Sequence, residues 1–428
     1  MRIFIDCTHT AKNRYKNTGI HRVVRELTTE LTELNQNYQK IEIIPVMFDG
    51  RFIQRVDFLQ QPSQISSRNS GLLQLLINNQ VRTFLLRLKN KFVSYFSVIL
   101  FYFYWNYQKY KQPGFLEFDS KTILPGDIYV IADANWDLPK TYYNFLEILK
   151  HYGVNITIIC YDLIPIKFPV FCSRKFATHF TSFYKSYSNL FDHVLCISRN
   201  SAEDYRDAQR QGILASNNPN LKIEVFRLGC NYSNHDEPKD SNQVNQFQHL
   251  LKTRYILVVG SILPHKNIKT IIEAFDLLIN SKQEEIHLVF AGNKGWNTEV
   301  DNLIESHKMY DKLIHILGSV TDFELNILYK NCYCLVQASF YEGFGLPVVE
   351  ALQNGKPVIA SNTGSLPEVG GRFCIYFNPH DHVELYRELE KLMNSDSYYN
   401  QLVTRIREEY QIFTWRESAE EFLSHLLT

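Results

Sequence analysis

Ser339-Phe-Tyr-Glu-Gly-Phe-Gly-Leu-Pro-Val-Val-Glu-Ala-Leu-Gln-Asn-Gly-Lys-Pro-Val-Ile-Ala-Ser-Asn-Thr-Gly-Ser-Leu-Pro-Glu-Val369 is the stretch from which the rest of the chain can be read. An apolar run, Cys334 to Ala338, leads into it and ends in a glycine-punctuated turn. Pro347 can then open a helix as its first residue, where a missing N–H costs nothing. The helix should end near Gly355, a strand should follow over Pro357 to Ala360, and Asn362 to Pro367 should form a second loop. That is a βαβ unit, and open α/β sheets bind ligands at the carboxyl ends of their strands.

The two loops carry the chemistry. Phe344, Gly345 and Leu346 can aim backbone N–H groups, backed by the helix dipole, at a diphosphate, and the glycines allow close approach. Phosphates would repel Glu342 and Glu350, so these carboxylates suit hydroxyls: Glu342 a sugar ring from the loop, Glu350 a ribose from the helix. A sugar linked to a nucleoside diphosphate meets all of these demands.

With Glu342 and Glu350 separated by seven residues around a Gly-Phe-Gly-Leu-Pro core, the stretch resembles the retaining, family 4 type glycosyltransferases of GT-B fold. The register continues through Ala351, the Gly-Lys-Pro-Val-Ile turn and the Gly-Ser-Leu-Pro-Glu loop. The resemblance is closest to a branch of polysaccharide and O-antigen mannosyltransferases. It implies an α/β protein of two doubly wound Rossmann-like domains facing a cleft. The first would bind acceptor and the second donor, and a C-terminal helix would cross back onto the first.

Composition agrees. The 428 residues, 45% of them hydrophobic, are too many for one ordinary core and suit two α/β domains. Forty-five basic side chains balance 45 acidic ones, so whole-molecule attraction to nucleic acid is not expected. The eight cysteines are scattered, several within apolar runs, and read as reduced core residues; Cys332-Tyr-Cys334 has no second pair to make a zinc site. A strand at Arg2 to Asp6 with no signal peptide before it points to a cytoplasmic protein, at the inner face of the cell membrane if the segment discussed next is an anchor.

The expected acceptor domain spans 1–230. The first strand runs into a loop over Cys7 to Thr18, and an amphipathic helix opens at Gly19. In the family the corresponding glycine faces the cleft, which makes Gly19 a donor-site candidate beside the transferred sugar, with Arg22 and Arg25 one turn on. Between 71 and 111 lie six basic residues (Arg82, Arg87, Lys89, Lys91, Lys109 and Lys111) and no acidic one, around the aromatic run Phe92 to Tyr107. This run is short of the roughly 20 apolar residues of a spanning helix. It reads either as a peripheral membrane contact through 82–111 or as a buried helical hairpin. A strand over Val154 to Pro165 presents Tyr161 and Asp162. Many relatives carry histidine at the position of Tyr161, so no histidine role transfers; Asp162 is the candidate to orient the acceptor hydroxyl. His179 and His193 read as structural, and Ser198 as a helix N-cap.

A polar linker is expected over 231–254, then the donor domain over 255–410. Tyr255 to Asn267 resembles the family's strand and donor loop, with Gly260, Ser261, Lys266 and Asn267 as donor-binding candidates and Lys266 as the diphosphate lysine. Many relatives have an arginine where this chain has Ser261; the mannosyltransferase branch also has a small hydroxyl residue there. Asn293 to Gly295 is a candidate wall for the base. Residues 411–428 are expected as the crossover helix.

The resemblance thus implies a retaining glycosyltransferase moving a sugar, with mannose from GDP-mannose favoured, to an acceptor hydroxyl in polysaccharide or glycolipid synthesis. Glu342, Asp162 and Lys266 would be its catalytic residues. Its partners would be a nucleotide sugar and a glycan or lipid-linked acceptor. No Asp-x-Asp metal motif is evident, so no metal or other cofactor is expected. The alternatives are a non-catalytic GT-B subunit docking a glycan-assembly complex to the membrane, and a nucleotide-sugar 2-epimerase.

Overall fold

Short runs of Ile, Val, Leu and Phe bounded by polar turns give strands buried on both faces, the pattern of parallel sheets covered by helices. A computed structural model describes residues 1–13, 18–35, 40–50, 53–57, 117–118, 123–230, 247–281, 285–295 and 298–428. The basic aromatic segment 71–111 and the linker up to residue 246 lie outside the described residues.

The first sheet contains β1 (Arg2–Asp6), β2 (Glu42–Phe48), β3 (Ile53–Arg55), β4 (Glu117–Phe118), β5 (Ile128–Ile131), β6 (Asn155–Cys160), β7 (His193–Cys196) and β8 (Lys222–Val225). Its order is β4-β3-β2-β1-β5-β6-β7-β8. Six strands are parallel, while β3 and β4 form an antiparallel edge. The second sheet contains β9 (Tyr255–Val259), β10 (His287–Ala291), β11 (Ile314–Gly318), β12 (Cys334–Gln337), β13 (Val358–Ser361) and β14 (Cys374–Phe377). It is parallel throughout, in the order β11-β10-β9-β12-β13-β14. Counted within that sheet this is 3-2-1-4-5-6, the doubly wound arrangement, and its switch point lies between β9 and β12.

The last helix, Trp415–Leu427, opens on a capping box formed by Thr414 and Glu417. Trp415, Phe422 and Leu423 pack with Val23 and Leu27 of the helix Gly19–Leu34 in the core of the first domain. The backbone passes so close that a Cβ on Gly229 would stand 2.4 Å from the Trp415 nitrogen. Trp415 is 2% exposed, so the helix is part of that core rather than an appendage.

Two local expectations change. A short helix, Thr8–Lys12, occupies the expected loop, because Asp6 accepts from the Thr8 amide at 3.0 Å and turns the chain directly after β1. The strand read over Val154 to Pro165 stops at Cys160. Asp162 then accepts from the Ile164 amide at 2.9 Å, and a helical turn over Ile164–Lys167 begins with Pro165 in its first positions. All eight cysteines are free, with Cys172 and Cys374 only partly buried. Among the described residues no helix is long and apolar enough to cross a membrane.

Candidate active site

Both loops expected to bind the donor emerge at the switch point of the second sheet. The loop after β9 begins with Gly260 at φ 120°, then turns through Pro264–Lys266 to Asn267, which is left-handed at φ 57°. The loop after β12 carries Ser339 to Gly345, and Gly345, at φ 114°, precedes the helix Leu346–Gln353. A side chain at Gly345 would be strained in that backbone and would also stand 2.7 Å from Leu366 Cδ2.

Between these loops Lys266 Nζ lies 2.6 Å from Glu342 Oε1. Gln337 Nε2 and Ser339 Oγ donate to the same oxygen at 2.7 and 2.6 Å. Burial alone would raise the Glu342 carboxyl, but the charge of Lys266 and the hydrogen bonds from Lys266 and Ser339 hold it below its ordinary value. His265 is itself pushed down to about 4 by burial and by Lys266. The site therefore sets one ammonium against one carboxylate with a neutral imidazole beside them. Gly260 flanks the lysine: a Cβ there would be 3.6 Å from Lys266 Nζ. Ser261 follows it, partly buried, on the rim of a small cavity shared with Lys266, Gln337 and Ser339.

The loop over 362–365 backs this arrangement; it is shorter than the sequence suggests, because a helix Leu366–Gly370 opens with Pro367 in its first positions. Ser365 Oγ donates to the carbonyls of Glu342 and Phe344, at 3.0 and 2.6 Å. Gly364, at φ 59°, passes so close that a Cβ would stand 2.9 Å from the Glu342 nitrogen. Asn267 is 5% exposed and both its amide protons are engaged, donating to the carbonyls of Ala338 and Pro379 at 3.1 and 2.6 Å. It staples the loop after β9 to the start of the loop after β12.

The first domain meets the Glu342 loop directly. Ser198 and Ser201 hydroxyls donate to the Gly343 carbonyl at 2.7 and 3.2 Å. A Cβ on Gly343 would stand 2.3 Å from the Tyr161 carbonyl oxygen and 2.9 Å from Asp162 Cβ, so Asp162 sits against the same loop. Its carboxyl is raised to about 6, chiefly by burial, with the charges of Glu342 and Asp204 adding to it. Tyr341 donates to Asp204 at 2.6 Å and accepts from Asn200 and Lys167 at 2.7 and 3.0 Å. Glu368 takes the amide of Arg199 at 2.9 Å.

Glu350 lies apart from this cluster. It is 1% exposed; one oxygen accepts from Arg22 of the first domain, and the other accepts from the Tyr329 hydroxyl at 2.7 Å. Burial raises its carboxyl more than Arg22 and Tyr329 lower it. Arg22 and Arg25 are 9% and 5% exposed, so neither is a solvated surface arginine. Gly19, one turn before Arg22, faces open space: among the described residues a Cβ there would meet nothing within 4 Å. Phe344 is buried against the first-domain core, with Leu346 packed on it.

Sequence reasoning did not single out Gln337, Ser339, Ser365, Tyr341 or His265. Ser339 and Ser365 were within reach, since both stand inside the quoted stretch. Gln337 carried a weaker signal, a polar residue at the end of an otherwise apolar strand. Away from the cleft, His193 is buried 2.7 Å from Glu224, and His179 is exposed.

Two facing Rossmann-like domains with a lysine, a carboxylate and a helix N-terminus at the second domain's switch point define the GT-B class of glycosyltransferase architecture. Solved structures of the same architecture include sucrose-phosphate synthase from Thermosynechococcus elongatus, at a TM-score of 0.62 and 17% identity over 100% of this chain and 99% of that one. Anabaena HepE in complex with UDP and glucose gives 0.58 and 14% over the same shares. Residues 240–409 match the profile of the glycosyl transferases group 1 family. The chain is similar to mannosyltransferases of O-antigen type. The serotype-specific mannosyltransferase WbdA of Escherichia coli is 29% identical over 61% of this chain and 32% of that protein. The O-antigen chain mannosyltransferase B of Escherichia coli is 30% identical over 49% of this chain and 55% of its own. For RfbU of Salmonella typhimurium the figures are 27%, 64% and 71%. The chain thus spans about a third to a half of the length of the first two relatives.

Proposed function

We propose that the protein transfers a sugar, mannose from GDP-mannose, to an acceptor hydroxyl with retention at the anomeric carbon, in the synthesis of a cell-surface polysaccharide or glycolipid. The observation that carries the reading is the pairing of Lys266 with Glu342 between the donor loops, beside the uncapped N-terminus of the helix Leu346–Gln353. Similarity to the O-antigen mannosyltransferases supports the choice of sugar.

In this reading Lys266 and the amides of Phe344, Gly345 and Leu346 neutralise the departing diphosphate in a preorganised site, with no metal required of the protein. Glu342 accepts from hydroxyls of the donor sugar, which lies in the open space before Gly19. As the domains part to admit the nucleotide, Glu350 exchanges Arg22 for ribose hydroxyls. Asp162 orients the acceptor hydroxyl. The acceptor oxygen attacks the anomeric carbon on the face from which the phosphate leaves; its proton passes to the leaving phosphate oxygen as the old C–O bond breaks. A two-carboxylate hydrolytic mechanism fits poorly, because Glu350 is turned towards Arg22 and Tyr329 while Glu342 stands with Lys266. The acceptor is expected to reach the protein at the cytoplasmic face of the membrane.

The test is calorimetric titration with GDP, UDP, ADP and dTDP, with Glu350→Ala as control, followed by GDP-mannose turnover. Selective GDP binding that is lost in the control, with turnover reduced in Glu342→Ala, is the expected outcome. A preference for UDP would replace mannose by a glucose-type donor. Absence of any nucleotide binding would end the transferase reading.

A further inference from the structure

Glu342 is held in an asymmetric way. Lys266, Gln337 and Ser339 all donate to Oε1, at 2.6, 2.7 and 2.6 Å, while no donor among the described residues bonds Oε2. The Glu342 side chain is 12% exposed, and Oε2 is the oxygen that reaches solvent in the cleft. A carboxylate with one oxygen tied by three donors presents the other as a fixed acceptor.

The three donors are not equivalent. Lys266 is the one cation among them, and on the function proposed above it must also serve a diphosphate. Gln337 and Ser339 are neutral, 2% and 0% exposed, and have no phosphate to answer to. The Gln337 amide is linked in turn to Ser339, Nε2 to Oγ at 3.1 Å, so the two side chains form one small frame beneath the carboxylate. The amide cannot be turned round, because its carbonyl oxygen would then face the Glu342 charge. In the orientation that remains, Gln337 Oε1 is buried without a partner among the described residues, in a residue that lines the cavity shared with Gly260, Ser261 and Lys266. A buried amide oxygen left unpaired costs free energy, and a strand-end valine would avoid that cost.

We infer that Gln337, with Ser339, is a positioning residue for the transfer. The pair keeps Glu342 Oε2 aimed at the donor sugar when Lys266 swings to the diphosphate, and the unpaired Gln337 Oε1 is the cost of that frame, relieved by a ligand hydroxyl or a water in the cavity. The inference rests on the transferase reading, and its test separates the two.

Gln337→Met keeps the volume and removes the hydrogen bonds; Ser339→Ala removes one bond of the frame and serves if the first variant folds poorly. Hydrolytic turnover of GDP-mannose to mannose and GDP, with water as the acceptor, is measured along with GDP affinity by calorimetry and the Glu342 carboxyl titration by 13C NMR. The expected result for Gln337→Met is a fall of roughly tenfold or more in kcat, with GDP affinity within about twofold of the parent. The NMR midpoint of Glu342 should move to higher pH, since a donor to the ionised form is gone. An unchanged kcat, or a loss of GDP affinity in step with kcat, would overturn the positioning role. Should the parent protein neither bind GDP nor turn over GDP-mannose, the transferase reading fails. The NMR midpoint then decides the frame by itself: if it does not move in Gln337→Met, the hydrogen bonds are not made.

Discussion

Asp162 shows how a single residue can be placed at some expense to the fold. Burial lifts its carboxyl to about 6, well above the ordinary value, so between the two values the folded protein holds a proton that the unfolded chain has released. Stability then falls as pH rises through that window, the reverse of a salt-bridged carboxylate. Asp162→Asn keeps an oxygen for the Ile164 amide and removes the charge. Urea unfolding should therefore show it more stable than the parent by about 1–2 kcal/mol at pH 7, with the difference vanishing near pH 4. If Asp162 orients the acceptor as a carboxylate, the same variant should lose transfer activity, and the parent's activity should decline with an acid limb near pH 6. Equal stability of the two proteins at pH 7 would mean that the carboxyl is not desolvated in solution.

At the scale of elements, the chain's last helix depends on its first turn. Thr414 accepts from the Glu417 amide at 3.1 Å while Glu417 accepts from the Thr414 amide at 2.7 Å, and hydrogen bonds from Thr414 hold the Glu417 carboxyl below its ordinary value. Thr414→Ala should lower stability by about 1 kcal/mol, read as a shift of the urea midpoint at unchanged slope. A changed slope would show the helix detaching on its own. This helix was legible in the sequence, as were the βαβ unit around Glu342 and the strands at Arg2 to Asp6 and from Tyr255, because turn residues, caps and apolar runs are local signals; the short edge strands β3 and β4 and the last strand β14 were not. What was not legible joins residues far apart. Glu350 reads as a free ribose ligand until the fold brings Arg22, 328 positions away, against it. Asn267 sits in a donor motif, yet its amide protons serve two carbonyls of its own domain. Nothing near residue 341 announces that its hydroxyl will meet Asp204 across the cleft, since that contact depends on how two sheets dock. Gln337 belongs with these, for its meaning comes only from the carboxylate placed above it.

At the scale of the molecule, the two domains touch where the chemistry is proposed, and Gly343 is one point of close contact. Its carbonyl takes hydroxyls from Ser198 and Ser201, and its α-carbon lies against the Tyr161 backbone with no room for a methyl group. A Cβ 2.3 Å from a carbonyl oxygen must be relieved, and since backbone stands on both sides, the domains themselves have to separate by about an ångström. Displacement of that size between reacting groups can cost on the order of a hundredfold in rate. Gly343→Ala should therefore keep both sheets folded and leave GDP affinity near that of the parent, because the proposed nucleotide contacts other than the space before Gly19 lie in the second domain. Turnover should fall by about two orders of magnitude, and small-angle scattering should report a more open particle. Gly19→Ala is the contrasting case, with open space where its methyl group would go. It should leave the scattering profile unchanged and raise the KM for the nucleotide sugar, if the sugar fills that space. Parental turnover in Gly343→Ala would show that contact at Tyr161 is not needed for the reaction, and the catalytic arrangement would then have to be sought in a more open form of the cleft.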